Sequence, residues 1–532
     1  MKRHPKGLIA AALANMGERY GFYTMMAILT LFLQAKFGLD GKYTGAIYST
    51  FYALIYVSSL LGGFIADKRA DYKGTIFIGL IVMTVGYVLM AIPTPTPVPN
   101  FYLYLGISLF ALLIISLGNG LFKGNLQALV GQMYDDWDKA NTDIPKLERG
   151  NRRDEGYRIF YMFINVGAIF APFTAVAVRN WWLKIHNLGY SAELPGYCHS
   201  YLKGNLSADG LQSMQQLASE VTGKTITDLG SFAKEYLNVF TTGFHYAFAV
   251  AILAMLISLF IYVFNKKFFP DPQIKKKDFS EKANTSDMSK EEIKMEAEEI
   301  RQRLRALFAV FAVVIFFWFS FHQNGLTLTF FARDYTLLKI GSWHLSAETF
   351  QSMNPFFVVF ITLIMILFSR LVEKVKGPKQ GGGMSTPKKI AIGMFIAGSA
   401  YLLMTIASIG LPNYSTINPD QGGVALADSA KVTPWLLISV YFILTVAELF
   451  ISPLGLSFVS KVAPPQYQGV MQGAWLGATA VGNQLLFIGA ILYETVPLWI
   501  TWSVFVGVTA ISGIIMFSMV NWLERVTGEK AE

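Results

Sequence analysis

Four charged residues lie in stretches of this 532-residue chain that are otherwise apolar: Glu18, Arg19, Lys123 and Glu448. A charge inside a long apolar run is costly and usually marks a pathway or a paired site. The first two belong to Asn15-Met16-Gly17-Glu18-Arg19-Tyr20-Gly21-Phe22-Tyr23. At helical spacing Asn15, Glu18, Arg19, Phe22 and Tyr23 share one face, a polar stripe expected to meet a wet cavity. The competing reading is an internal Glu18–Arg19 pair that only fixes helix packing. Lys123 follows Gly118-Asn119-Gly120-Leu121-Phe122; it either reaches a cavity or snorkels to an interface. Glu448 precedes Ser452, Pro453 and Gly455, and Pro and Gly loosen a helix where it bends or a cavity opens. The four charges cancel, with the cationic excess in the first half and the anionic one in the second. A small zwitterion would fit that division, its carboxylate on Arg19 and Lys123 and its ammonium on Glu448, since Arg holds carboxylates bidentately. Asn165, His322-Gln323-Asn324 and Asn354-Pro355 add neutral polar groups in apolar runs. Each is a candidate cavity group or interhelical glue. Tyr56 and Trp475 line a cavity or simply pack.

The elements that must position these residues are long. Hydrophobic residues make up 53% of the chain and charged ones 15%, against about a quarter charged in soluble proteins. The apolar residues gather into about twelve runs, from roughly 8–34 to 497–522, each near the ~20 residues that cross a bilayer. Backbone groups in lipid must be satisfied within the segment, so the runs are helices and the chain is an all-α membrane protein. Lys and Arg concentrate on the loops that share a side with the N-terminus, which places both termini in the cytoplasm. The net charge of +9 is therefore a topology signal; without one concentrated basic face it does not imply a nucleic-acid partner. Cys198 is the single cysteine, so no intramolecular disulfide forms. Met1–Lys6 reads as a short basic head on a retained first helix. No metal-ligand spacing, nucleotide fingerprint or nucleophile–base set is evident, so no cofactor, no metal and no enzymatic activity are expected.

The even number of runs and a long central loop suggest two six-helix bundles, 1–265 and 305–532, joined by a cytoplasmic linker 266–304. The linker is expected to hold a short surface helix begun by the capping-box spacing Ser289-Lys290-Glu291-Glu292. An extracytoplasmic insertion, 181–243, is expected to hold helices near 207–222 and 226–237. Gly381-Gly382-Gly383 reads as a flexible turn.

Four motifs give the chain a family resemblance. Phe160-Tyr161-Met162-Phe163-Ile164-Asn165-Val166-Gly167 resembles the signature FYxxINxG of the proton-dependent oligopeptide transporters, a branch of the major facilitator superfamily. Gly62-Gly63-Phe64-Ile65-Ala66-Asp67-Lys68 with Thr75-Ile76 resembles the superfamily's loop between spans 2 and 3. The stretches Gly118 to Asn125 and Glu448 to Ser457 resemble the family's span 4 and span 10 motifs. The resemblance implies the superfamily fold, with about twelve spans in two bundles, and import of di- and tripeptides by proton symport and alternating access. It implies that Arg19 and Lys123 take the peptide carboxylate, that Asn165, Asn354 and Glu448 hold the amino end, and that Tyr23, Tyr56 and Trp475 line side-chain pockets beside Ser452. It also suggests a bacterial inner membrane and a monomer in contact with lipid.

The sequence departs from the family pattern at four places. Asn15 and Phe22 stand where the span 1 motif has Glu and Tyr, His322 stands where span 7 has Glu, and Asp71 where the span 2–3 loop usually has Gly. The linker has no membrane-length apolar run, so the bacterial members' extra helix pair is absent. With a carboxylate replaced by His322, which titrates nearest physiological pH, Glu18 and His322 become the candidate proton carriers. The departures leave open another small anion or zwitterion as substrate (an amino-acid derivative, nitrate or a drug), altered or lost coupling, and a sensor that binds solute without moving it.

Overall fold

The computed structural model describes residues 4–69, 71–144, 146–270, 290–376, 384–464 and 467–527. Its first half holds α1 Leu8–Phe37, α2 Gly41–Arg69, α3 Tyr72–Ala91, α4 Phe101–Ala140, α5 Lys146–Ile185, α6 Leu194–Lys203, α7 Ala208–Thr222 and α8 Leu229–Asn265. The second half holds α9 Lys290–Phe321, α10 Thr327–Tyr335, α11 Met353–Lys376, α12 Thr386–Ala407, α13 Tyr414–Ile417, α14 Pro434–Val462, α15 Gln468–Gln484, α16 Leu486–Thr495 and α17 Leu498–Thr527. One two-stranded antiparallel hairpin, β1 Lys339–Ile340 with β2 Trp343–His344, follows α10. Among the described residues, 11 helical stretches are long and apolar enough to cross a membrane. Helix α1, 30 residues long and packed against α5 and α8, makes a twelfth; its polar stripe lowers its apolar character. Large apolar side chains such as Leu253, Phe260, Phe264, Ile511, Ile514 and Phe517 point outward, a surface for lipid tails rather than water.

Helix pairs α3–α4, α1–α8, α1–α5 and α2–α4 hold the first half together, and α12–α17 and α12–α14 the second. In the α2–α4 pair, Gly62 lies against the backbone of Gly120, and Gly120 against that of Ser58, leaving no room for a Cβ at either glycine. Small residues let membrane helices approach this closely, which gives the Gly118-x-Gly120 motif a packing role. Asp71 is the N-cap of α3, its Oδ1 accepting from Gly74 N at 2.7 Å. An Asp at this position satisfies a free helix-end amide.

Two expectations change, and one helix is new. The linker does not form a separate surface helix: α9 starts at Lys290 and runs without interruption to Phe321, because the apolar spacing of Ile300 and Leu304 continues in phase into the span. Positions 271–289 and the three glycines Gly381, Gly382 and Gly383 lie outside the described residues. In the insertion, α7 matches the helix near 207–222, but residues 229–237 are the first turns of the long α8. Helix α6 was not anticipated. Its start, Glu193-Leu194-Pro195, puts Pro in the first turn, where the missing N–H costs nothing.

Candidate functional site

A cavity of about 420 Å³ opens between the two halves, within the roughly 300–1,000 Å³ typical of small-molecule sites. Helix α1 contributes Arg19, Phe22 and Tyr23; α2 contributes Tyr52 and Tyr56; α4 contributes Lys123; and α5 contributes Asn165. From the other half come His322, Asn354 of α11, Glu448 and Ser452 of α14, and Trp475 of α15. Each proposed substrate-contacting residue therefore lies on one wall or the other, with both cations on the first half and Glu448 on the second.

The polar stripe of α1 divides. Glu18 stands behind Arg19, fully buried. Its Oε2 accepts from Arg19 Nε at 2.6 Å and its Oε1 from Arg19 Nη2 at 2.7 Å. Asn119 of α4 also donates to Oε1, at 2.7 Å. Asn15 is likewise buried. The stripe thus meets the cavity through Arg19, Phe22 and Tyr23, while Glu18 works from the back by holding the guanidinium. Arg19 also lies over the Phe22 ring, 4.7 Å from its centroid. Lys123 does not snorkel: its Nζ sits 4.3 Å from the centroid of Tyr56, a cation–π contact that keeps the ammonium at the cavity.

On the opposite wall Asn354 Nδ2 donates to Glu448 Oε2 at 2.8 Å and to Thr445 Oγ1 at 3.0 Å. The amide orients the carboxylate but leaves its charge unneutralised. Pro453 sits inside α14 one turn beyond Glu448. Trp475 is nearly buried and stacks over Gly455, where a Cβ would collide with its ring. Asn165 Nδ2 donates to Tyr161 O, one turn earlier on the same helix, at 3.1 Å. His322 occupies the 3-10 turn His322–Gly325 that separates α9 from α10.

Some wall residues escaped the sequence reading. Gln351 donates across the halves to Ala27 O at 3.3 Å and also to Thr329 Oγ1 at 3.2 Å. Tyr48, Tyr52 and Tyr161 complete an aromatic lining. The spacing Tyr48, Tyr52, Tyr56 is i, i+4, i+8 on one helix face, a signal present in the sequence but shared with ordinary packing.

The halves are pinned on the face that carries the insertion. Arg179 of α5 pairs with Glu348, both fully buried, and donates to Ser346 Oγ at 3.1 Å. Lys431 reaches Glu193 at 2.6 Å, Lys203 reaches Asp420 at 2.7 Å, and Ser200 donates to the other oxygen of Asp420 at 2.6 Å. Glu494 accepts from the amides of Gly41 and Lys42 at 2.5 and 3.1 Å. The insertion's α6 and its preceding turn therefore clasp the long loop of the second half.

The 11 apolar helical stretches among the described residues, with α1 beside them and a charged central cavity, are those of a multi-pass membrane transporter of the major facilitator type. The chain matches the POT family model over residues 73–288 and 278–498 and belongs to that family. It is similar to an uncharacterised transporter, YclF, of Bacillus subtilis, 27% identical over 93% of this chain and 89% of that one. It is also similar to dipeptide and tripeptide permease B of Xenorhabdus bovienii, 26% identical over 99% of this chain and 97% of that one. Its fold matches a crystal structure of a peptide transporter POT in complex with sulfate, with a TM-score of 0.66 and 22% identity over 98% of this chain and 96% of the other.

Proposed function

We propose that this protein imports di- and tripeptides by proton-coupled symport, alternating between two faces of the membrane. The observation that carries the reading is the charge division of the cavity: Arg19 and Lys123 on one half, an Asn354-oriented Glu448 on the other. A peptide zwitterion placed between them bridges the halves. Its carboxylate takes Lys123 and the free edge of Arg19, its ammonium takes Glu448, and Asn165 and Asn354 meet its amino end and first peptide group. Tyr23, Tyr56, Ser452 and Trp475 surround the side chains. Charge-assisted hydrogen bonds of this kind contribute about 1.5–3 kcal/mol each. A ligand that contacts both halves favours the state in which they approach, which is the differential affinity that alternating access requires.

With the termini in the cytoplasm, as the Lys and Arg distribution favours, the clasped insertion face is the outer one and the structure is outward-closed. The proton step falls to Glu18 and His322. An unprotonated Glu18 holds Arg19 from behind; a proton on it releases the guanidinium toward the substrate carboxylate. The coupling ion is the proton and no cofactor takes part. The cavity wall is complete within one chain, which suits a monomer in a bacterial inner membrane. The test is uptake by purified, reconstituted protein: Arg19→Ala abolishes it, whereas an unaffected rate removes the carboxylate site from the account.

A further inference from the structure

We propose that Asn483 is a positioning residue for His322, fixing the imidazole with its Nδ1 as donor so that Nε2 is the proton-accepting atom presented to the cavity. This deepens the symport reading and rests on it for its meaning in transport. His322 is held on three sides. Its ring stacks on Trp318 (4.9 Å between centroids, 19° between planes) and meets Tyr52 at 4.7 Å. Its Nδ1 lies 2.5 Å from Asn483 Oδ1. With one face stacked on Trp318, Tyr52 tilted against the ring and Nδ1 taken by Asn483, Nε2 is the ring nitrogen left over, and His322 is part of the cavity wall.

Asn483, on α15, is fully buried, and its Nδ2 has no hydrogen-bond partner among the described residues. Leaving an amide donor unsatisfied in the interior is costly, and among the described residues the contact with His322 is the one hydrogen bond this side chain makes. A carbonyl oxygen can only accept, so Nδ1 must carry hydrogen. The neutral ring is then the Nδ1–H tautomer with a lone pair on Nε2. A proton from cavity water adds to that lone pair, and the resulting imidazolium keeps its Nδ1–H···Oδ1 bond unchanged. Asn483 thus accommodates both protonation states without taking charge.

The groups around the ring set the sign of the coupling. Tyr52 of α2 touches it, Lys123 of α4 acts on it with like charge, and Arg19 of α1 and Glu448 of α14 share the cavity. A proton on Nε2 adds to the positive field of Lys123 and Arg19. It is best tolerated when an anionic substrate carboxylate lies between them, so proton and peptide each favour binding of the other.

The test is nitrogen-15 solid-state NMR of the full chain in liposomes, labelled at its six histidines, with His322→Gln assigning the resonance. The expected spectrum at high pH shows His322 protonated on Nδ1 and bare on Nε2, both nitrogens protonated on acidification. In Asn483→Asp, which places a carboxylate at the same distance, the midpoint rises by about one to three pH units. In Asn483→Leu the tautomer preference is lost. A wild-type ring protonated on Nε2, or variants that titrate like the wild type, overturns the proposal. Dialanine uptake in the same liposomes separates the two levels. Uptake whose pH profile follows the Asn483→Asp midpoint supports the transport role. If the NMR result holds but no wild-type uptake follows a proton gradient, the symport reading fails and the proposed role falls with it.

Discussion

At the residue scale the chain carries a divided cavity whose charges are not equivalent. Arg19 is bound from behind by Glu18, which Asn119 in turn holds, Lys123 rests on an aromatic face, and Glu448 accepts from the Asn354 amide. Lys123, whose close contact is the Tyr56 ring, gains most from a substrate anion. Lys123→Ala is expected to weaken peptide affinity by about 10- to 150-fold, the equivalent of one charge-assisted bond, with a raised KM in an uptake assay. Glu18→Gln keeps the shape of the Arg19 contact but removes its titration. It should exchange labelled peptide across the membrane while failing to accumulate it, and accumulation at the wild-type level would remove Glu18 from the proton path. The charged members of this site are legible in the sequence because ionised groups in apolar runs are rare. Asn483, Gln351 and Tyr48 are not, since a neutral polar or aromatic residue in a span has many uses and only its neighbours separate them.

At the element scale the insertion's helix α6, Leu194–Lys203, was invisible to a reading based on apolar periodicity because it is short and mixed in character. Its contacts make it a clasp across the halves. The buried Arg179–Glu348 pair lies at the same face, and removing one partner of such a pair costs about 3–5 kcal/mol. Arg179→Ala should therefore shift the protein toward opening on that face. Labelling of a Gln351→Cys variant by an impermeant maleimide reads this directly. The native Cys198 is buried and contributes little background. Faster labelling in the Arg179→Ala background is expected; equal rates would deny the pair a gating role. Helix α6 also docks on α1, where His199 Nε2 bonds to Ala35 O at 2.8 Å beside Gly38, whose φ of +61° ends α1. Burial lowers the His199 ring below its ordinary 6.5. The docked state thus binds fewer protons than the undocked one, so docking is strongest above pH 6.5 and weakens as pH falls through it. Protection of the amides of residues 194–203, taken relative to the intrinsic exchange rate at each pH, should fall on acidification from pH 7 to about 5, and His199→Gln should flatten that dependence.

At the scale of the whole molecule the fold was largely legible. Spans need about twenty apolar residues and leave little freedom of interpretation, and motif order fixes the family. What the sequence obscured were places where an element changes character without changing hydropathy: the unbroken passage from linker into α9, and the extension of α8 out of the membrane. The halves meet through polar contacts on one face and surround a cavity whose walls carry opposite charge, the arrangement expected of a carrier caught closed on one side. The central claim is that a proton gradient drives peptides through this cavity. Uptake of labelled dialanine into proteoliposomes, with and without an imposed inward proton gradient, tests it most directly. Accumulation above the external concentration only when the gradient is present is the predicted result, and peptide that never accumulates in folded protein under the gradient would contradict it.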